Sequence, residues 1–218
     1  RRSPYIAPVS FLRPTDHATG DATGETTGET TDDASLGERM RAWSAGRIWW
    51  WRAALFVVLA LQAVRPLREQ GDWTLFSGII FGAHELGHLV WSPFGEWMGI
   101  AGGSLTQLLV PIGAAAVVWR GKDWFGVAVC GLFLATSLGE LSWYVADART
   151  EMLDLVSFSE EGAVHDWNYL LGEAGLLTRD LAFARFARFL AWLVLLGSTA
   201  LAARLCWWMA TEPKPAAS

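Results

Sequence analysis

The sequence predicts an all-α fold: a polytopic membrane bundle of about five transmembrane helices with a disordered polar N-terminal tail. Three observations predict it. Of 218 residues, 52% are hydrophobic and only 18% charged. The apolar residues gather into long runs, each close to the roughly 20 residues that a bilayer-crossing helix needs. Tryptophans such as Trp49, Trp73, Trp91, Trp119, Trp124 and Trp207 stand at the ends of those runs, where an amphipathic indole gains from the headgroup zone. A soluble protein of this size has too little interior to hide four or five all-apolar helices.

Residues 15–35 carry an imperfect Thr-Gly-Glu/Asp repeat and no aliphatic side chain larger than alanine. Such a segment buries too little surface to offset the entropy of ordering, so a disordered tail is expected over residues 1–46. No apolar stretch follows Arg1 and Arg2, so no cleavable signal peptide is expected. A transmembrane domain over 47–210 and a short C-terminal tail over 211–218 complete the expected organisation.

The first span covers about 48–64, with Arg52 near its start and Arg65-Pro66 closing it. The second covers 73–91 and stops before Ser92-Pro93. The third, 97–119, contains no charge except at its polar exit, Arg120-Gly121-Lys122-Asp123. The fourth, 124–146, holds one charged residue, Glu140. The fifth, about 186–210, follows Arg185 and contains Arg188 and Arg204. With five spans, the group Arg39, Arg41, Arg47 and Arg52 shares one side with Arg149, Arg179, Arg185 and Arg188. The positive-inside rule then favours a cytoplasmic N-terminus.

The charge balance is 17 basic against 22 acidic residues, net -5, with no basic block. Nucleic-acid binding is therefore not expected. Cys130 and Cys206 lie inside apolar runs without the spacing of a thiolate metal site, and read as small core residues.

The chemistry is concentrated in the second span, where His84, Glu85 and His88 form HELGH. Positions four apart share a helix face, so both imidazoles can bind one zinc ion while Glu85 reaches a metal-activated water. Three ionisable groups within five residues of a span need a common purpose, because each alone costs several kcal/mol there. A catalytic zinc takes three protein ligands. Asp147, at the end of the polar stripe Ser137, Glu140, Tyr144 and Asp147, is one candidate for the third; His165 is the other. Glu140 is a candidate acceptor for an imidazole N–H. Asp166 reads as a cap for a helix beginning at Trp167. In the third span, Gly102, Gly103 and Ser104 suit close helix packing. Gln107 is a candidate to hold a substrate backbone, and Arg149 to hold the substrate or its oxyanion.

On these residues the chain resembles the site-2-protease-like intramembrane zinc metallopeptidases, which carry H-E-x-x-H in a membrane helix and take an aspartate from a later one. It is also similar to small bacterial membrane proteins of that superfamily, with HExGH, GGS-like, YxxDAR-like and HDW-like segments in this order. Here they are HELGH, GGSLTQ (102–107), YVADAR (144–149) and HDWNYLL (165–171). The Leu-Asp-Gly that supplies the third ligand in that superfamily is absent, and Asp147 stands in Ala-Asp-Ala. The resemblance implies a zinc endopeptidase acting on membrane proteins or peptides within or near the bilayer. The alternative is a non-enzymatic protein: a metal binder or transporter, or an inactive protease-like partner.

Overall fold

The structure is a computed structural model and describes residues 34–71, 73–153 and 165–212. Those from Ser35 onward belong to one compact unit. They form seven α-helices: α1 (Leu36–Ser44), α2 (Trp50–Arg68), α3 (Ser77–Trp91), α4 (Glu96–Arg120), α5 (Trp124–Ala146), α6 (Asp166–Glu173) and α7 (Asp180–Thr211). No strand occurs among the described residues. The all-α expectation holds.

α5 is the central helix. It presents Ala128, Leu132 and Ala135 to Phe56 and Ala63 of α2 and to Ala191, Leu195, Ala202 and Leu205 of α7, all buried. Alanines at these contacts let the backbones approach closely. The outward faces stay apolar: Leu61 of α2, Val117 of α4 and Leu196 of α7 are all exposed. Water opposes such a surface and lipid accepts it. Cys130 and Cys206 are free and half-buried.

Four helical segments are long and apolar enough to cross a membrane: α2, α4, α5 and the stretch Leu177–Thr211. The second expected span is not among them. α3 has 15 residues, about 22 Å of helix against a hydrocarbon core of about 30 Å. Its start is delayed because Thr74 and Ser77 capture the local backbone: Thr74 N–H donates to Ser77 Oγ (2.9 Å) and Phe76 N–H to Thr74 Oγ1 (3.2 Å). Phe76 stacks on Phe133 in the middle of α5, with ring centroids 5.1 Å apart. α2 runs alongside α5 from Trp51 at Phe125 to Pro66, whose carbonyl accepts from Trp143 Nε1 (2.8 Å). α2 thus ends at the C-terminal end of α5. The chain dips back to mid-bundle, and α3 returns toward that same end before a 3-10 turn, Ser92–Phe94, leads into α4.

This short helix changes the expected sidedness. α1 lies at the end of the bundle where Arg41 pairs with Glu212 (3.0 Å), just beyond α7. Arg149 pairs with Asp180 (2.7 Å), the first residue of α7. The two arginine groups therefore sit at opposite ends of the bundle, and the argument that placed them together fails.

The expected tail boundary at residue 46 also moves. Ser35 and Glu38 form a reciprocal capping box, with Ser35 N–H donating to Glu38 Oε2 (2.7 Å), and they open α1. At the other end α7 runs to Thr211. The rest of the expected tail, 1–33, and residues 213–218 lie outside the described residues.

In a background where Cys130 and Cys206 are alanine, single cysteines replacing Arg39 and Glu151 will label with a membrane-impermeant maleimide from opposite sides of a sealed vesicle. A five-span arrangement labels both from one side.

Candidate metal centre

α3 stacks His84 and His88 one turn apart, with ring centroids 4.8 Å apart and planes at 80°. Each ring is fixed through Nδ1. That of His84 lies 3.1 Å from Gln107 Oε1, and that of His88 lies 3.0 Å from the Gly99 carbonyl. Gln107 is oriented in turn by donating Nε2 to the Ser137 carbonyl (3.0 Å). Both partners of the rings are acceptors, so each Nδ1 carries a hydrogen, and a ring in its neutral form presents its lone pair at Nε2.

The two Nε2 atoms converge on one oxygen. Asp166 Oδ2 is 3.0 Å from His84 Nε2 and 3.4 Å from His88 Nε2. Three lone-pair donors in contact repel one another unless a proton or a cation lies among them. The separations suit a cation: tetrahedral bonds of 2.0–2.1 Å place neighbouring ligands about 3.3 Å apart. His84, Glu85 and His88 form a group that could hold a metal ion, with one ligand atom of each within 4.8 Å of the others. Their imidazoles are 13% and 28% exposed, so the centre opens to the surface.

Helix α4 makes room for it. A Cβ on Gly103 would stand 2.6 Å from His88 Nε2 and 2.8 Å from His84 Nε2, inside the space where the lone pairs meet. A Cβ on Gly87 would collide with the Gly102 carbonyl, so α3 and α4 touch backbone to backbone. Ser104, the third residue of the motif, accepts from Trp167 Nε1 (3.1 Å) and anchors α6.

The short helix α6 delivers Asp166. His165 caps it, with Nδ1 accepting from Asn168 N–H (3.3 Å), and Asn168 Nδ2 donates to the Ala148 carbonyl (2.8 Å). Asp166 N–H donates to the Tyr144 hydroxyl (3.1 Å). The Tyr144 ring lies between His165 and His84, at centroid distances of 4.4 and 5.8 Å.

Several expected site residues stand elsewhere. Asp147 and His165, the two candidates for third ligand, face each other instead, with His165 Nε2 3.5 Å from Asp147 Oδ2. Asp147 closes the turn after α5, accepting from Thr150 Oγ1 (2.5 Å) and from the Met152 and Leu153 N–H groups (3.0 Å each). Burial raises its pKa, and these donors more than reverse that, leaving it below the ordinary value. Glu140 takes the Ser77 hydroxyl (2.5 Å) rather than an imidazole. Arg149 is engaged by buried Asp180. Gln107 does meet the site, but as the support of His84. Sequence reasoning missed Tyr144 as a site residue and assigned Asp166 only a capping role; the HDW motif was the one signal that marked it.

The chain was compared with protein-family models, with curated proteins and with solved structures, and none matches.

Replacing Asp166 by asparagine will weaken zinc binding, measured by isothermal titration and elemental analysis, at least 100-fold, whereas Asp147→Asn will leave it within a few-fold. Gln107→Leu will cost about 10- to 100-fold, the usual effect of removing a partner that orients a ligand. Gly103→Ala will abolish binding while the helical circular dichroism is retained.

Proposed function

We propose that this protein is an intramembrane zinc metallopeptidase that hydrolyses peptide bonds within or near the membrane. The observation that carries the reading is a glutamate beside two imidazole nitrogens and an aspartate oxygen that converge on one point, on a helix too short to cross the bilayer. His84, His88 and Asp166 would hold the metal. Bound zinc would supply Lewis acidity and bring the pKa of a water close to neutrality.

The remaining work falls to the chain's own groups. Glu85 accepts the proton of the attacking water and returns it to the leaving amine, the dual role that the H-E-x-x-H spacing suits. Gln107 and the Gly99 carbonyl keep the imidazoles in the tautomer that presents Nε2. Tyr144 and the cap at His165 hold Asp166 at the rings. Because α3 begins at mid-bundle and leaves by one end, the centre lies near a membrane face, where water and a partly unwound peptide can both reach it. The substrate class is a membrane protein or membrane-bound peptide, and the bacterial plasma membrane is the proposed location. The resemblance of HELGH, GGS and HDW to the site-2-protease-like group supports the same reading.

A second reading, a metal-binding or transporting membrane protein, is favoured by one observation. Glu140 is a carboxylate inside α5 that the hydrolytic site does not use, accepting from the hydroxyl of Ser77, which also contacts Thr74 Oγ1 at the start of α3. Intramembrane acids also mark ion paths.

In proteoliposomes with a reporter carrying a helix-breaking transmembrane segment, Glu85→Gln will retain zinc but cleave at least 100-fold more slowly than wild type. Equal rates would sink the peptidase reading. Zinc flux that survives Glu85→Gln but not His84→Ala would establish the transporter instead.

A further inference from the structure

α7 is longer than a span requires. Its 32 residues make about 48 Å of helix, against about 30 Å of hydrocarbon. Its start reaches the C-terminal end of α5. Arg188 stacks over the Trp143 ring at 3.9 Å and donates to Ser142 Oγ (3.3 Å), close to the end of α5. Ala184 packs against Leu141 and Val145 in the last turns of α5, and Asp180 meets Arg149 just beyond them, so the first turn of α7 stands at that end of the bundle.

The start of α7 and the residues before it carry a groove lined by Leu176, Arg179, Ala182, Phe183 and Phe186. Positions 182, 183 and 186 lie on one face of α7, and Arg179 ends the 3-10 turn just before it. Leu176, Phe183 and Phe186 are 40%, 39% and 59% exposed, and Arg179 is exposed at the rim. The adjacent acid, Asp180, is buried and spent on Arg149, so it does not neutralise Arg179. The groove thus combines an aromatic floor, a guanidinium with no ion pair among the described residues and a position at the end of the bundle.

We propose that this groove binds an anionic phospholipid of the surrounding membrane, with its phosphate on Arg179 and an acyl chain over Phe183 and Phe186. Charge complementarity selects the occupant: a guanidinium near the surface favours a lipid with net negative charge over a zwitterionic one. Guanidinium–phosphate pairing fixes the head, and the exposed aromatic rings give the chain an apolar seat. The lipid would brace the end of the bundle from which α6 brings Asp166 to the imidazoles. The proposal stands whether or not the metal centre is hydrolytic.

Native mass spectrometry of the detergent-purified full chain, titrated with palmitoyl-oleoyl phosphatidylglycerol or the matching phosphatidylcholine, tests it. Tighter binding of phosphatidylglycerol is expected. Arg179→Gln should weaken it about fivefold, the effect of one basic residue at an anionic surface, while Arg39→Gln at the other end of the bundle leaves it unchanged. Phe186→Ser, also at an exposed position, should weaken it as well, and a photoreactive acyl chain should crosslink to Phe183 or Phe186. The proposal is overturned if phosphatidylcholine binds equally well, if Arg179→Gln retains full affinity, or if millimolar inorganic phosphate displaces the lipid completely.

Discussion

Three atoms that can each offer a lone pair to a cation meet in one space. His84 Nε2, His88 Nε2 and Asp166 Oδ2 are held at 3.0–3.4 Å, while each imidazole proton is spent on the opposite side of its ring. Inside a low-dielectric bundle such a gathering is unfavourable by itself. It persists because α3, α4, α5 and α6 each contribute something rigid: the histidine pair, the glycine gap with Gln107, Tyr144, and the capped aspartate. A positive charge at the convergence turns the repulsion into attraction, which gives the arrangement its chemical sense.

The shortness of α3 is the second constraint. Irregular backbone at membrane depth is tolerated only where its polar groups are satisfied within the protein. Thr74, Ser77 and Glu140 provide that satisfaction at the buried start of α3, with hydrogen bonds of 2.5–2.9 Å. A histidine pair on a through-going helix would sit wherever its position along the span dictated. On a helix that starts at mid-bundle and exits by the face it entered, the pair is brought toward water. Glu140 thus earns a structural explanation, as part of the anchor from which α3 departs.

Parts of this were legible in the residue order and parts were not. The helices α2, α4, α5 and α7 follow from apolar runs of sufficient length, and the pairing of His84 with His88 follows from the helical repeat. Both are local properties. The α1 cap was also present, as Ser35-x-x-Glu38, but lay hidden behind a composition that signals disorder. The shortness of α3 was not legible, because the apolar content of 73–91 is that of a span. Its start is decided by a contact between Ser77 and Glu140, 63 residues apart in the chain.

The sequence by itself determined that the chain is an apolar helical bundle and that two imidazoles and a glutamate share one helical segment, since periodicity and hydropathy act over a few neighbouring residues. Tertiary structure alone decided that Asp166 rather than Asp147 or His165 meets those rings, and that the arginine groups lie at opposite ends. Those outcomes depend on how far each helix extends and which faces dock, and such long-range geometry leaves no mark on the spacing of residues along the chain.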